Sequence, residues 1–114
     1  NKESFFIVIS AKVGSIQDNS LGGWYGYRAS KVALNMFIKN ISIESRSKLP
    51  NLKVIAYHPG TVDSSLSKPF HKNIKHKILT PDETVDFLIK QIKDKKKKIE
   101  SGSFLSWNGE LIQW

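Results

Sequence analysis

Short apolar runs separated by long segments of helical periodicity predict an α/β fold with a parallel sheet. Three observations carry this. Ser4-Phe5-Phe6-Ile7-Val8-Ile9-Ser10 is a continuous apolar run, β-branched and aromatic with polar ends, the pattern of a strand buried on both faces. Leu52-Lys53-Val54-Ile55-Ala56-Tyr57 and Ser103-Phe104-Leu105-Ser106-Trp107 read as a second and a third strand. Helical patterns stand between them, so the order is β-α-β-(loop)-α-β, which makes parallel strands with right-handed crossovers.

Residues 11 to 26 form a loop rich in Gly, Ser, Asn and Asp. A helix is expected from about Trp24 or Tyr25 to about Ser47. Ala29, Ala33, Met36, Phe37 and Ile41 make one apolar stripe on it, and Val32, Leu34 and Ile38 widen that stripe almost all round. A helix of this kind is buried or packs against another subunit. Leu49-Pro50-Asn51 ends it, and His58-Pro59-Gly60 ends the second strand. Residues 61 to 79 are irregular and basic, with room for a short helix.

The next helix has a strong start: Thr80 as N-cap, Pro81 at the first helical position and Glu83 closing a capping box. Val85, Leu88, Ile89 and Ile92 then form its core-facing stripe, and Lys95 to Lys98 close it, where cations complement the helix dipole. Asn108-Gly109 turns the chain after the third strand.

At 114 residues, 39% hydrophobic and 11% aromatic, the chain can form one compact unit with a core. The absence of cysteine excludes disulfides and thiolate metal sites, and it suits a reducing, cytoplasmic setting. No apolar run approaches the roughly 20 residues that cross a bilayer. The chain opens on Asn1 rather than methionine, so an incomplete product is expected.

The net charge of +8 concentrates in Lys68, Lys72, Lys75 and Lys77 with His71 and His76, and in Lys90, Lys93 and Lys95 to Lys98. Nucleic acid is not the expected partner, because no aromatic residues interleave with these cations. No metal site is expected either: His71 and His76 are five apart, off one helical face, and neither Cys nor a convergent carboxylate completes a set with them or His58. Trp107 and Trp114 read as packing residues.

The chemistry centres on Tyr27 and Lys31, one helical turn apart in Tyr27-Arg28-Ala29-Ser30-Lys31. Residues i and i+4 share a helix face, and an ammonium beside a phenol favours phenolate, which brings a tyrosine into the range of a general acid/base. Ligands in parallel α/β sheets bind beyond the carboxyl ends of the strands. Ser10 to Ser15 and His58 to Ser64 follow two such ends, and Tyr27 begins the helix between them.

The chain resembles the C-terminal half of the short-chain dehydrogenase/reductase superfamily, within it the C-factor-like and carbonyl-reductase-like members. The resemblance rests on Ile9-Ser10-x-x-x-Gly14-Ser15-Ile16, Tyr25-Gly26-Tyr27-Arg28-Ala29-Ser30-Lys31-x-Ala33-Leu34-Asn35 and His58-Pro59-Gly60-Thr61-Val62, with Ser101-Gly102-x-Phe104 and Gly109-Glu110-x-x-x-Trp114 at the end. It implies the C-terminal half of a Rossmann-type doubly wound parallel sheet, three strands and two main helices, as a single partial domain over 1–114. It also implies an NAD- or NADP-dependent oxidoreductase interconverting a small-molecule carbonyl and alcohol; the apolarity of helix 25–47 adds the expectation of a homo-oligomer formed through it.

By the same resemblance Tyr27 is the acid/base and Lys31 assists it and binds the nicotinamide ribose. Pro59 and Gly60 shape the turn against the nicotinamide, Val62 meets the carboxamide through its backbone, and Ser64 replaces the usual Thr. Residues 61–79 correspond to the substrate lid. The family's second motif serine, which orients the substrate oxygen, is here Ala11, and such a loss costs on the order of 10²–10³ in rate. Ser10 replaces it if the register shifts by one, Ser15 if the loop folds back; otherwise the enzyme is weak or lapsed.

The Gly-rich phosphate turn and the helix with the active-site Asn precede this segment in the family. Gly22-Gly23-x-x-Gly26 follows a loop rather than a strand and reads as a bend. Alone, the 114-residue chain is therefore expected to bind no dinucleotide strongly and to turn nothing over. The alternative is a non-catalytic truncated product or pseudoenzyme acting as an oligomerisation module.

Overall fold

The computed structural model describes residues 2–114. Strands β1 (Ser4–Ile9), β2 (Leu52–His58) and β3 (Ser103–Ser106) form one parallel sheet in the order β1-β2-β3. Helix α1 (Tyr25–Lys48) connects β1 to β2, and α2 (Pro81–Lys93) lies between β2 and β3. The α/β class, the three strands and the two helices are those the sequence predicts. A 3-10 turn at Lys68–Asn73 is the short helix of the basic segment.

Side chains of β2 alternate between two cores, as a strand's period of two requires. Val54 and Ala56 pack with Ile38 of α1, Phe104 and the C-terminal Ile112 and Trp114. Ile55 and Tyr57 pack with Leu105, Ile99 and Leu88 of α2 on the other face. Trp114 stacks on Phe104 at 5.3 Å, and Trp107 packs against Phe87 at 5.6 Å, so both tryptophans are packing residues.

Four expectations need correction. β1 is not buried on both faces: it lies at the edge of the three-stranded sheet, and Phe6 and Ile9 are about half exposed. Of the two settings expected for the apolar stripe of α1, burial within the chain is not found: the stripe faces outward, with Met36 60% and Phe37 66% exposed and Ile41 also exposed. Its inward face instead carries Asn35, Ile38 and Ser42. In α2 the buried residue is Thr84, while Val85 and Ile89 are exposed. The predicted stripe is thus divided: Leu88 packs on the core, while Val85 and Ile89 give way to Thr84, whose carbonyl accepts from the Tyr57 phenol at 2.9 Å.

The fourth concerns the end of α2, at Lys93 rather than among Lys95 to Lys98. Asp94 closes the helix, its carboxylate accepting from the Lys96 N–H at 3.0 Å. Lys90 and Lys93 occupy the last turn. At the other end the capping box of Thr80 and Glu83 is formed, with bonds of 3.1 and 3.0 Å. No helix among the described residues is long and apolar enough to cross a membrane.

Candidate active site

The parallel register brings two strand tips together. Ile9 pairs with Tyr57, and the Ser10 N–H donates to the Tyr57 carbonyl at 2.8 Å. The segments from Ser10 and from His58 therefore leave the sheet at one edge. The third segment, the head of α1, is aimed by a run of left-handed residues: Gly22 (φ 68°), Gly23 (φ 71°) and Trp24 (φ 52°). A bulky residue in that region carries strain on the order of 1–3 kcal/mol. The Arg28 guanidinium holds the bend, donating to the carbonyls of Gly23 (3.0 Å), Gly22 (3.2 Å) and Val13 (3.3 Å). The glycine pair is a bend, as read from sequence. Sequence reasoning missed Arg28, whose only signal is a lone cation following Tyr27.

Tyr27 and Lys31 share one face of α1, with Lys31 Nζ 5.6 Å from the phenol ring centroid. Tyr27 is 42% exposed, open to a reactant. Lys31 forms no salt bridge among the described residues, where the ion pairs are Lys12–Asp18 and Lys77–Glu83. The Trp24 ring meets Tyr27 edge-on at 6.1 Å and Phe70 at 6.1 Å. Phe70 belongs to the 3-10 turn of the basic segment, so that segment reaches the head of α1 through an aromatic contact.

The hydroxyls near the β1 tip are engaged elsewhere. Ser10 is 4% exposed and donates to Asn35 Oδ1 at 2.5 Å. Ser15 is buried, donates to the Gln113 carbonyl and accepts from the Asp18 N–H at 3.1 Å. Ala11 stands between them without a polar side chain, at the start of the 3-10 turn Lys12–Gly14.

Beyond β2, the Pro59 carbonyl accepts from the Thr84 hydroxyl at 2.8 Å. Gly60 has φ 77°, and a Cβ on it would stand 2.8 Å from Trp107 Cδ1. Val62 bridges to Leu79 through its neighbours: the Leu79 N–H donates to Thr61 and the Asp63 N–H to Leu79, each at 2.8 Å. The Val62 carbonyl accepts from the Ser67 hydroxyl at 2.5 Å, and its N–H has no partner among the described residues. The Ser64 hydroxyl is exposed and faces that of Ser67 at 3.4 Å.

The remaining titratable groups at this edge are structural. Burial pushes the Tyr57 phenol up, against the lowering effect of its bond to Thr84. His58 is lowered to about 4, by burial first and then by the cations Lys12 and His76, with Asp18 opposing. Its Nδ1 accepts from the Lys12 N–H at 3.2 Å, a bond that requires the neutral ring. His71 bonds Ser67 at 2.9 Å and His76 bonds Thr61 at 2.8 Å.

An exposed phenol and an unpaired ammonium on one helical face can exchange a proton with an oxygen placed over them. Among the described residues the Val62 N–H has no hydrogen-bond partner and the Lys31 ammonium no carboxylate partner.

No family model matches the chain. It is 35% identical over 107 residues to 1-hydroxy-2-glutathionyl-2-methyl-3-butene dehydrogenase of Rhodococcus sp. (strain AD45), covering 94% of this chain and 45% of that one. It superposes on the carbonyl reductase Sniffer of Drosophila melanogaster with a TM-score of 0.74 at 27% identity, covering 96% of this chain and 41% of that one. An NADPH-bound carbonyl reductase from chicken fatty liver gives 0.71 at 31% identity, covering 96% and 42%. The chain spans about half the length of the curated relatives it matches. Its structural neighbours include these carbonyl reductases, and over nearly its whole length the chain is consistent with the C-terminal part of the short-chain dehydrogenase/reductase fold.

Proposed function

We propose that residues 1–114 are the partial domain of an NAD(P)-dependent oxidoreductase that interconverts a carbonyl and an alcohol, with Tyr27 as the acid/base. One observation carries the reading: Tyr27 is accessible and lies beside Lys31, whose ammonium has no carboxylate partner among the described residues. The donors suit a nicotinamide dinucleotide, since the Val62 N–H has no partner among the described residues. When bound, that group supplies the hydride for reduction. Tyr27 donates its hydroxyl proton to the carbonyl oxygen and is reprotonated from solvent. Lys31 stabilises the phenolate left behind; with the dinucleotide bound, Lys31 would hydrogen-bond its ribose, Val62 would hold the carboxamide through its N–H, and Pro59-Gly60 would shape the adjacent wall. Ser64 keeps a hydroxyl beside that wall.

The Rhodococcus relative acts on a glutathionyl alcohol, a substrate with carboxylates. Lys68, Lys72 and Lys75 around Phe70 form no ion pair among the described residues, which favours an anionic substrate here too. The outward apolar face of α1 supports a homo-oligomer, and the cysteine-free composition a cytoplasmic setting.

A second reading, a non-catalytic interaction module, draws on Ala11 and on the engagement of both flanking serines. Oxidation of NADPH or NADH by the full-length polypeptide with a panel of carbonyl compounds separates the two. The enzyme reading expects turnover that Tyr27→Phe lowers by about 10²–10⁴-fold. A wild-type protein that binds the cofactor and turns nothing over establishes the module.

A further inference from the structure

We infer that Asn35 is a positioning residue: its carboxamide bolts the loop leaving β1 onto α1 one turn beyond Lys31, and so sets the place of the Tyr27–Lys31 pair relative to the strand tip. The inference rests on the proposed function for its catalytic consequence, and on geometry for the rest. Asparagine is a weak choice for a helix interior, and its amide is costly to bury unless bonded at both ends. Here both ends are used. Oδ1 accepts from the Ser10 hydroxyl at 2.5 Å, and Nδ2 donates to the Gly14 carbonyl at 3.2 Å. Ser10 and Asn35 are each 4% exposed, so neither bond competes with bulk water.

The second observation is the closeness of the loop to the helix. A Cβ on Gly14 would lie 2.8 Å from Lys31 Cβ, 2.9 Å from the Lys31 carbonyl carbon and 2.9 Å from Asn35 Nδ2. Gly14 therefore rests directly on the two helical residues, and only a bare Cα lets the Asn35 amide reach its carbonyl. The root of the Lys31 side chain is walled by this backbone. Ala11 lies between the two anchor points, Ser10 and Gly14. One buried network thus fixes both the strand tip, where a substrate oxygen would sit, and the lysine beside the phenol. Arg28 makes a second tie to the same loop through the Val13 carbonyl.

Two variants of the full chain test this. Asn35→Asp keeps the acceptor for Ser10 and removes the donor to Gly14. Gly14→Ala keeps every hydrogen-bonding group and forces the loop off the helix. The first readout is the rate at which an amine-acylating reagent modifies Lys31, mapped by mass spectrometry against Lys48 and Lys90 of the same molecules. Both variants are expected to speed labelling of Lys31 several-fold relative to those two controls. The second readout is turnover: kcat is expected to fall by about 10²-fold, the scale of a misplacement near 1 Å, with KM for the carbonyl substrate little changed. Lys31 labelling that rises no more than the controls, or kcat per folded molecule equal to wild type, overturns the positioning role. The labelling arm needs no turnover. A wild-type protein that proves inactive sinks the proposed function while labelling still decides the role of Asn35.

Discussion

Replacing Gly60 by alanine separates two costs that the structure superposes at one residue. The backbone there is left-handed, with φ 77°, and a Cβ would meet Trp107 Cδ1 at 2.8 Å and both Leu79 Cδ1 and Trp107 Nε1 at 3.0 Å. The left-handed conformation costs alanine about 1–2 kcal/mol. Forcing a methyl into that contact adds about 1–3 kcal/mol. The Trp107 ring cannot swing aside cheaply, since it is packed against Phe87 and its backbone N–H donates to His58 at 2.9 Å. Reduced freedom of the unfolded chain returns about 0.4–1 kcal/mol. A net loss of about 2–4 kcal/mol is expected. Gly22 is the control: φ is 68°, but no atom lies within 4 Å of its Cβ position, so Gly22→Ala carries the conformational term alone. Urea unfolding followed by tryptophan fluorescence should place the Gly60→Ala midpoint well below that of Gly22→Ala. Equal midpoints would refute the argument that Trp107 and Leu79 close over this turn.

His58 makes stability depend on pH. Its folded value of about 4 lies below the ordinary 6.5, so between these limits the unfolded chain binds the proton and the folded one does not; stability is full above pH 6.5 and falls toward pH 4, by about 3 kcal/mol in all. In His58→Asn that slope should disappear from a urea-midpoint series across the window, and an unaltered slope would assign it to other groups. Ala11→Ser in the full-length protein should raise kcat at least about tenfold, because neither Ser10 nor Ser15 has a free hydroxyl at the tip; an unchanged kcat would mean that another donor already serves. Phe37→Asp, on the exposed apolar face of α1, should shift the full-length protein toward monomer in sedimentation, and a wild-type monomer would dismiss pairing through this helix.

The elements were legible in the sequence because their signals are local. The Thr80-Pro81-x-Glu83 start of α2 and the breaker Leu49-Pro50-Asn51 each act within one turn of chain, and the structure follows them. Which face of a helix points inward is decided by the neighbour, and there periodicity misled. The inward residues of α1 are Asn35, Ile38 and Ser42, two of them polar and satisfied by bonds to Gly14, Ser10 and Lys39. No count of apolar residues would select that face. The Tyr27–Lys31 spacing was legible for the same reason the caps were. The frame around it was not: Arg28, Asn35 and Phe70 act on residues 15, 25 and 46 positions away, through Val13, Ser10 and Trp24.

That inverted helix has a physical explanation that bears on the site. Small and polar residues facing the sheet let α1 approach it closely. Ser42 is fully buried, and a Cβ on Gly102 would stand 2.8 Å from its hydroxyl oxygen, just as a Cβ on Gly14 would crowd Lys31. Leucines at these positions would hold the helix further away and lift Tyr27 from the strand tips. Each glycine contact is matched by a hydrogen bond across the same seam, Asn35 to Gly14 at 3.2 Å and Lys39 to the Gly102 carbonyl at 3.4 Å. The helix is thus located by short polar contacts at two points along its length, together with Ile38 and Leu34 in the core between them. Met36, Phe37, Ile41 and Ile43 lie on the outer face. Close seating of the helix and exposure of that face are then one property of the sequence: the requirement that brings Tyr27 and Lys31 to the sheet edge also leaves α1 with an exposed apolar surface.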